Sequence, residues 1–138
     1  MTKIQFKIPF YNVTCILVQV ESAQDADEAI ALMKRWKIED ENNYDYNGIK
    51  EGALNGGTTY RQMFKKRIFV LFYPFQNDRI KDEVYSHEKR HIEDRILEFY
   101  EVNDIESAGL LAGYLGAKFY DFKQLQKNDT HQSNKSER

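Results

Sequence analysis

The chain has 138 residues, 41% hydrophobic and 14% aromatic, with 20 Lys+Arg against 22 Asp+Glu and a formal charge of −2. That length suits one hydrophobic core rather than two, and the near-balanced charge lacks the basic footprint of a protein that grips nucleic acid or an anionic membrane. A single cysteine excludes an internal disulfide framework and a four-cysteine metal cluster and fits a reducing compartment.

The N-terminus reads as a strand. Ile4, Phe6 and Ile8 point one way, Lys3, Gln5 and Lys7 the other, and this alternation is unlike the apolar stretch of a secretory signal. After a break at Pro9, Tyr11 and Asn12, the segment from Val13 to Val20 is apolar on both faces and predicts a more central strand, paired with the first as a hairpin. Its aliphatic core, Cys15 to Val18, is far shorter than the ~20 residues of a membrane span. Cys15 itself reads as an inert buried thiol.

Ser22 then opens a helix over about 23–37, with an acid three residues on, acidic residues in the first turn, and Ala26, Ile30, Met33 and Trp36 at helical spacing as a core stripe. Residues 39–48 are polar, acidic and turn-rich, a solvated loop whose carboxylates fail the spacing of a calcium loop. Asn55-Gly56-Gly57 predicts a tight turn joining Ile49–Leu54 to Thr58–Met63 as a hairpin at a sheet edge. Ile68–Phe72 is the most strongly β segment, closed by Pro74. Asp78–Glu101 contains neither Gly nor Pro and reads helical, and a break at Asn103-Asp104 precedes a second helix over Glu106–Phe119. From Gln124 onward the composition is polar with one Leu, too poor in apolar residues to order itself. The expected organisation is therefore one α+β domain over 1–123, a small mixed or antiparallel sheet packed on two consecutive helices, and a disordered polar tail over 124–138.

Two of the three histidines fall in His87-Glu88-Lys89-Arg90-His91, a His-Glu-x-x-His motif. On a helix, positions i and i+4 stack one above the other, so two imidazoles can close on one ion at the ~2.0–2.1 Å nitrogen distance zinc prefers. Glu88, about 100° round the helix from His87, can reach a water held by the ion and take its proton as it attacks a polarised carbonyl. For the third ligand the sequence offers Glu106, returned by an antiparallel helix, or Asp94, a heptad beyond His87; Glu106 is preferred, because an aspartate one turn along must pull away from its own helix, and Asp94 suits an imidazole N–H instead. His131, in the polar tail, is discounted. Tyr114, two turns beyond Glu106, is a candidate oxyanion donor, against a simpler role in helix packing.

A mixed sheet, a helix bearing His-Glu-x-x-His and a glutamate on the following helix resemble the gluzincin group of zincin metallopeptidases. More narrowly, Val84–Arg95 followed by Glu106–Leu115 is similar to small proteins encoded by phages and conjugative elements of gut bacteria, convincingly only over 84–115. The resemblance implies a minimal zincin-like fold, bound Zn2+, His87, His91 and Glu106 as ligands and Glu88 as acid/base. It departs from the larger gluzincins in its short His91–Glu106 interval. The expected function is a zinc-dependent hydrolase, a minimal metallopeptidase acting on a peptide or protein bound along the Thr58–Met63 edge. Neither nucleic acid nor membrane is an expected partner, and the expected compartment is the cytoplasm, the host's if the protein is phage-encoded. The alternatives are a catalytically inactive zincin-like interaction protein and a zinc-stabilised binding module whose ion has no open position.

Overall fold

A computed structural model describes residues 1–38, 48 and 56–136, with side chains as far as Asn128. In chain order the elements are β1 (Thr2–Ile8), β2 (Val13–Gln19), α1 (Ala23–Arg35), β3 (Gly57–Gln62), a single 3-10 turn (Met63–Lys65), β4 (Arg67–Phe72), α2 (Asp78–Phe99) and α3 (Ile105–Ser136). The strands form one mixed sheet in the order β1-β2-β4-β3. β1 and β2 pair antiparallel, as do β3 and β4, and the two hairpin-like pairs join through a parallel β2–β4 seam. The fold class is α+β, as the sequence implies.

The pattern of each strand follows from its place. β1 lies at an edge and alternates, with Phe6 and Ile8 buried and Lys3, Gln5 and Lys7 exposed. β2 and β4 are central and covered on both sides, so they read as near-continuous apolar runs. Alternate residues of β4 feed two cores. Ile68, Val70 and Phe72 face Tyr85, Ile92 and Ile96 of α2 and Leu115, Phe119 and Phe122 of α3. Phe69 and Leu71 face Ala26, Ala29 and Met33 of α1 on the opposite side. The molecule is thus three layers, with α1 on one face of the sheet and α2 and α3 on the other.

Capping sets the helix ends. Ser22 Oγ accepts from the Asp25 amide at 3.1 Å, and Asp25 Oδ2 accepts from the Glu21 amide at 2.9 Å. Asn77 caps α2 the same way, accepting from the Ile80 amide at 2.9 Å. Both α1 and α2 end in a Schellman motif without glycine. Lys37 (φ 56°) and Glu101 (φ 54°) take the left-handed conformation. Ile38 then donates to Met33 O at 3.0 Å, and Val102 to Leu97 O at 2.9 Å.

The strand expected over 49–54 lies outside the described residues, as does most of the loop at 39–48. β3 is an edge strand as anticipated, and its described partner is β4. The last helix does not stop at Phe119: α3 runs to Ser136 and carries the domain past residue 123. Phe122 is fully buried, and Gln126, one turn further on the same stripe, is buried as well. Its amide donates to the Tyr85 hydroxyl at 2.5 Å, its oxygen accepts from Lys81, and Tyr85 in turn donates to Gln19 Oε1 at 2.7 Å. A polar chain from sheet to helix anchors a stretch whose composition alone looks too hydrophilic to pack.

Candidate metal centre

α2 presents two different sides. One carries Tyr85, Ile92 and Ile96 into the core beneath α3. The other carries His87, His91 and Arg95, spaced by four residues, along a cleft of about 310 Å³ whose opposite wall is β3. Because strand side chains alternate, Thr58 and Tyr60 turn away, to the Tyr73 hydroxyl and the Phe69 ring. Gly57, Thr59 and Arg61 share the face toward α2.

Within the cleft the two imidazoles converge. Nε2 of His87 and Nε2 of His91 are 2.9 Å apart, with the rings nearly perpendicular at 89°. Two nitrogens bound to one tetrahedral zinc at ~2.0–2.1 Å stand ~3.3 Å apart, so a small opening of the pair is enough to admit an ion. Ligand atoms of His87, Glu88 and His91 all lie within 4.8 Å of one another.

Glu88 is buried, 5% exposed, and packed in from both sides. Its Oε2 accepts from Thr59 Oγ1 at 2.5 Å. Beneath it lies Gly57: a Cβ there would stand 3.1 Å from Glu88 Cγ, 3.0 Å from Phe72 Cδ1 and 3.2 Å from Val84 Cγ1. The glycine is therefore required by close approach, and it lets the strand and the motif helix clasp the carboxylate between them. Among the described residues no Lys or Arg forms an ion pair with Glu88. A carboxylate held this far from water normally has a cationic partner. The His87-Glu88-His91 group could hold a metal ion.

The remaining anticipated site residues stand elsewhere. α2 and α3 run antiparallel, in a register set by Lys81 with Gln126, Asp82 with Lys123 at 3.0 Å, and Lys89 against Gly116. Continuing that register puts Glu106 opposite the end of α2, ~12 Å along the axis from His91 at 1.5 Å per residue. α3 also flanks the side of α2 away from the cleft, and Glu106 stands exposed in its first turn, outside the His-Glu-His group. The Tyr114 hydroxyl donates to Lys7 O at 3.0 Å, and its ring meets Phe6 edge-on, across β1. Asp94 shares the histidine face but pairs with Arg90 at 3.1 Å and stands outside the His-Glu-His group. Cys15 is buried, as anticipated, and desolvation pushes its thiol far above the usual range.

Gly57, Thr58, Thr59, Arg61 and Arg95 are the cleft residues that the motif did not indicate. Their signal was present but indirect: alternation along β3 puts three of them on one face, and Arg95 follows His91 by the same four-residue step. No protein-family model, curated protein or solved structure matches the chain. Among the described residues, no helix is long and apolar enough to cross a membrane.

Proposed function

We propose that the chain is a metal-dependent hydrolase, zinc being the ion its donors suit, and that its substrates are peptides. The observation that carries this reading is the pair of convergent imidazole nitrogens beside a buried carboxylate, all within 4.8 Å of one another. His87 and His91 would hold the ion. When bound, it supplies Lewis acidity, polarising a carbonyl and acidifying water toward a pKa of ~7. Glu88 takes the proton of the attacking water as its oxygen bonds to the carbonyl carbon, then passes that proton to the amide nitrogen as the C–N bond breaks. Thr59 keeps the carboxylate aimed without neutralising it. β3 supports a peptide substrate, since among the described residues no strand pairs with its outer edge, and an extended chain can add there by backbone hydrogen bonds.

A second reading is favoured by the same compactness: with its oxygen within 4.8 Å of both ring nitrogens, Glu88 can act as third ligand, which suits a metal-stabilised binding module. Glu88→Gln separates the two. The expected outcome is one zinc per chain, measured by elemental analysis, with peptide hydrolysis down by at least ~10²-fold, the scale of a lost general base. Loss of the zinc would assign Glu88 as ligand and overturn the hydrolytic reading.

A further inference from the structure

One end of the cleft is strongly cationic in a protein whose net charge is −2. Arg61 projects from β3 on the same face as Thr59 and Gly57, and Arg95 follows His91 by one turn of α2; both line the cleft. Gly57 and Thr59 lie against Val84 and Glu88, so strand and helix advance along the cleft in the same sense. Arg61 is then two residues beyond Thr59, ~6.6 Å along the strand, and Arg95 four beyond His91, ~6 Å along the helix. The two guanidinium-bearing positions are displaced together, in one direction, from the His-Glu-His group.

Among the described residues neither guanidinium has a strong partner. Arg95 touches Glu98 at 3.6 Å in a pair where Glu98 is 75% exposed, a contact of little energetic weight. Among the described residues no carboxylate pairs with Arg61. By contrast Arg67, on β4, is fully engaged, donating to Gln62 Oε1 and to the Trp36 carbonyl. Two forked donors line the cleft, and among the described residues the one carboxylate paired with either is the exposed Glu98; bidentate geometry makes arginine the side chain suited to a planar carboxylate.

We propose that Arg61 and Arg95 form a carboxylate-binding subsite at one end of the cleft, so that the substrates are peptides with a carboxylate close to the bond that is cut. This rests on the hydrolase reading for its use but not for its binding chemistry. The carboxylate has two possible sources, a free C-terminus or an acidic side chain, and the same recognition serves both.

The test uses the full chain with and without one equivalent of zinc. The probes are an acetylated tetrapeptide of alanine and phenylalanine as free acid, the same peptide as C-terminal amide, and that amide carrying either one aspartate or one asparagine. Two readouts are taken: cleavage by mass spectrometry, and NMR shifts of the arginine Nε–H signals during titration, assigned with Arg61→Gln and Arg95→Gln. The expected result is at least tenfold faster cleavage of the free acid over its amide, or of the aspartate peptide over the asparagine one. The first identifies a C-terminus as the source, the second a side chain. Shifts should be confined to the two arginine signals, and each Gln variant should lose the preference with its zinc content unchanged. Shifts without cleavage uphold the subsite and overturn the hydrolase. Cleavage with neither preference nor shifts overturns the subsite and leaves the hydrolase standing. Absence of both removes both.

Discussion

At the scale of single residues, the cleft is made by what is small as much as by what is reactive. Gly57 gives Glu88 its place, and its own backbone is ordinary, so the requirement is steric rather than conformational. Gly57→Ala should lower stability by ~1–3 kcal/mol, the cost of overpacking a closed contact, read as a fall in the urea midpoint with an unchanged slope. Part of the readout should be local, with Glu88 displaced from Thr59. The motif itself was legible from spacing, because a four-residue repeat maps onto one helix face without knowledge of anything else. The third-ligand candidate was not. Whether Glu106 returns to His91 depends on which side of α2 the next helix takes, and that follows the packing of Leu115, Phe119 and Phe122 onto the sheet face that carries Phe6 and Phe72. Glu106→Ala and Tyr114→Phe should accordingly leave zinc uptake unchanged by equilibrium dialysis, whereas His91→Ala should abolish it.

At the scale of elements, the helix ends hold both stored strain and titratable stability. Lys37 and Glu101 occupy a conformation that costs a side-chain-bearing residue ~1 kcal/mol relative to glycine. Lys37→Gly and Glu101→Gly should therefore each raise stability by up to ~1 kcal/mol in thermal or urea unfolding, since their caps are made by backbone groups that the change leaves intact. Asp104 opens α3 by accepting from the Ser107 amide at 2.8 Å, and hydrogen bonds from Ser107 hold its carboxyl below the usual range. A group held low in the folded state contributes stability above its unfolded pKa and loses it as pH falls through the folded value. Glu21 has the opposite sign: burial raises it, Lys81 offsets part of this, and Asp25 adds to it. Its contribution is present below the ordinary carboxylate range and lost as pH rises through the raised value. Melting Asp104→Asn against the native chain across the carboxylate range should show a deficit that grows toward neutral pH, and Glu21→Gln should show a gain that grows in the same direction. The strands and α1 were readable because period two, an uninterrupted apolar run and a Ser cap are local signals. The length of α3 was not, because Gln126 is held by Tyr85 and Lys81, forty residues earlier in the chain.

At the scale of the whole molecule, the three-layer arrangement separates duties. α1 and its core close one face of the sheet, α3 closes half of the other, and α2 is left with one flank packed and one open over β3. The fold class was legible because the order of strand-like and helix-like segments, and the doubly apolar character of Val13–Val20 and Ile68–Phe72, constrain which strands are central. The open flank was not, since it follows from how two helices share one sheet face.

The parallel seam between β2 and β4 carries a kinetic consequence. β1 with β2, and β3 with β4, are antiparallel pairs of close chain neighbours, but the sheet exists only when Thr14 meets Arg67 and Gln19 meets Phe72, roughly fifty positions apart. Closing that loop costs entropy before its contacts are rewarded. Substitutions along the seam should therefore slow acquisition of structure more than equal losses placed in α1, read from refolding rates after dilution from urea.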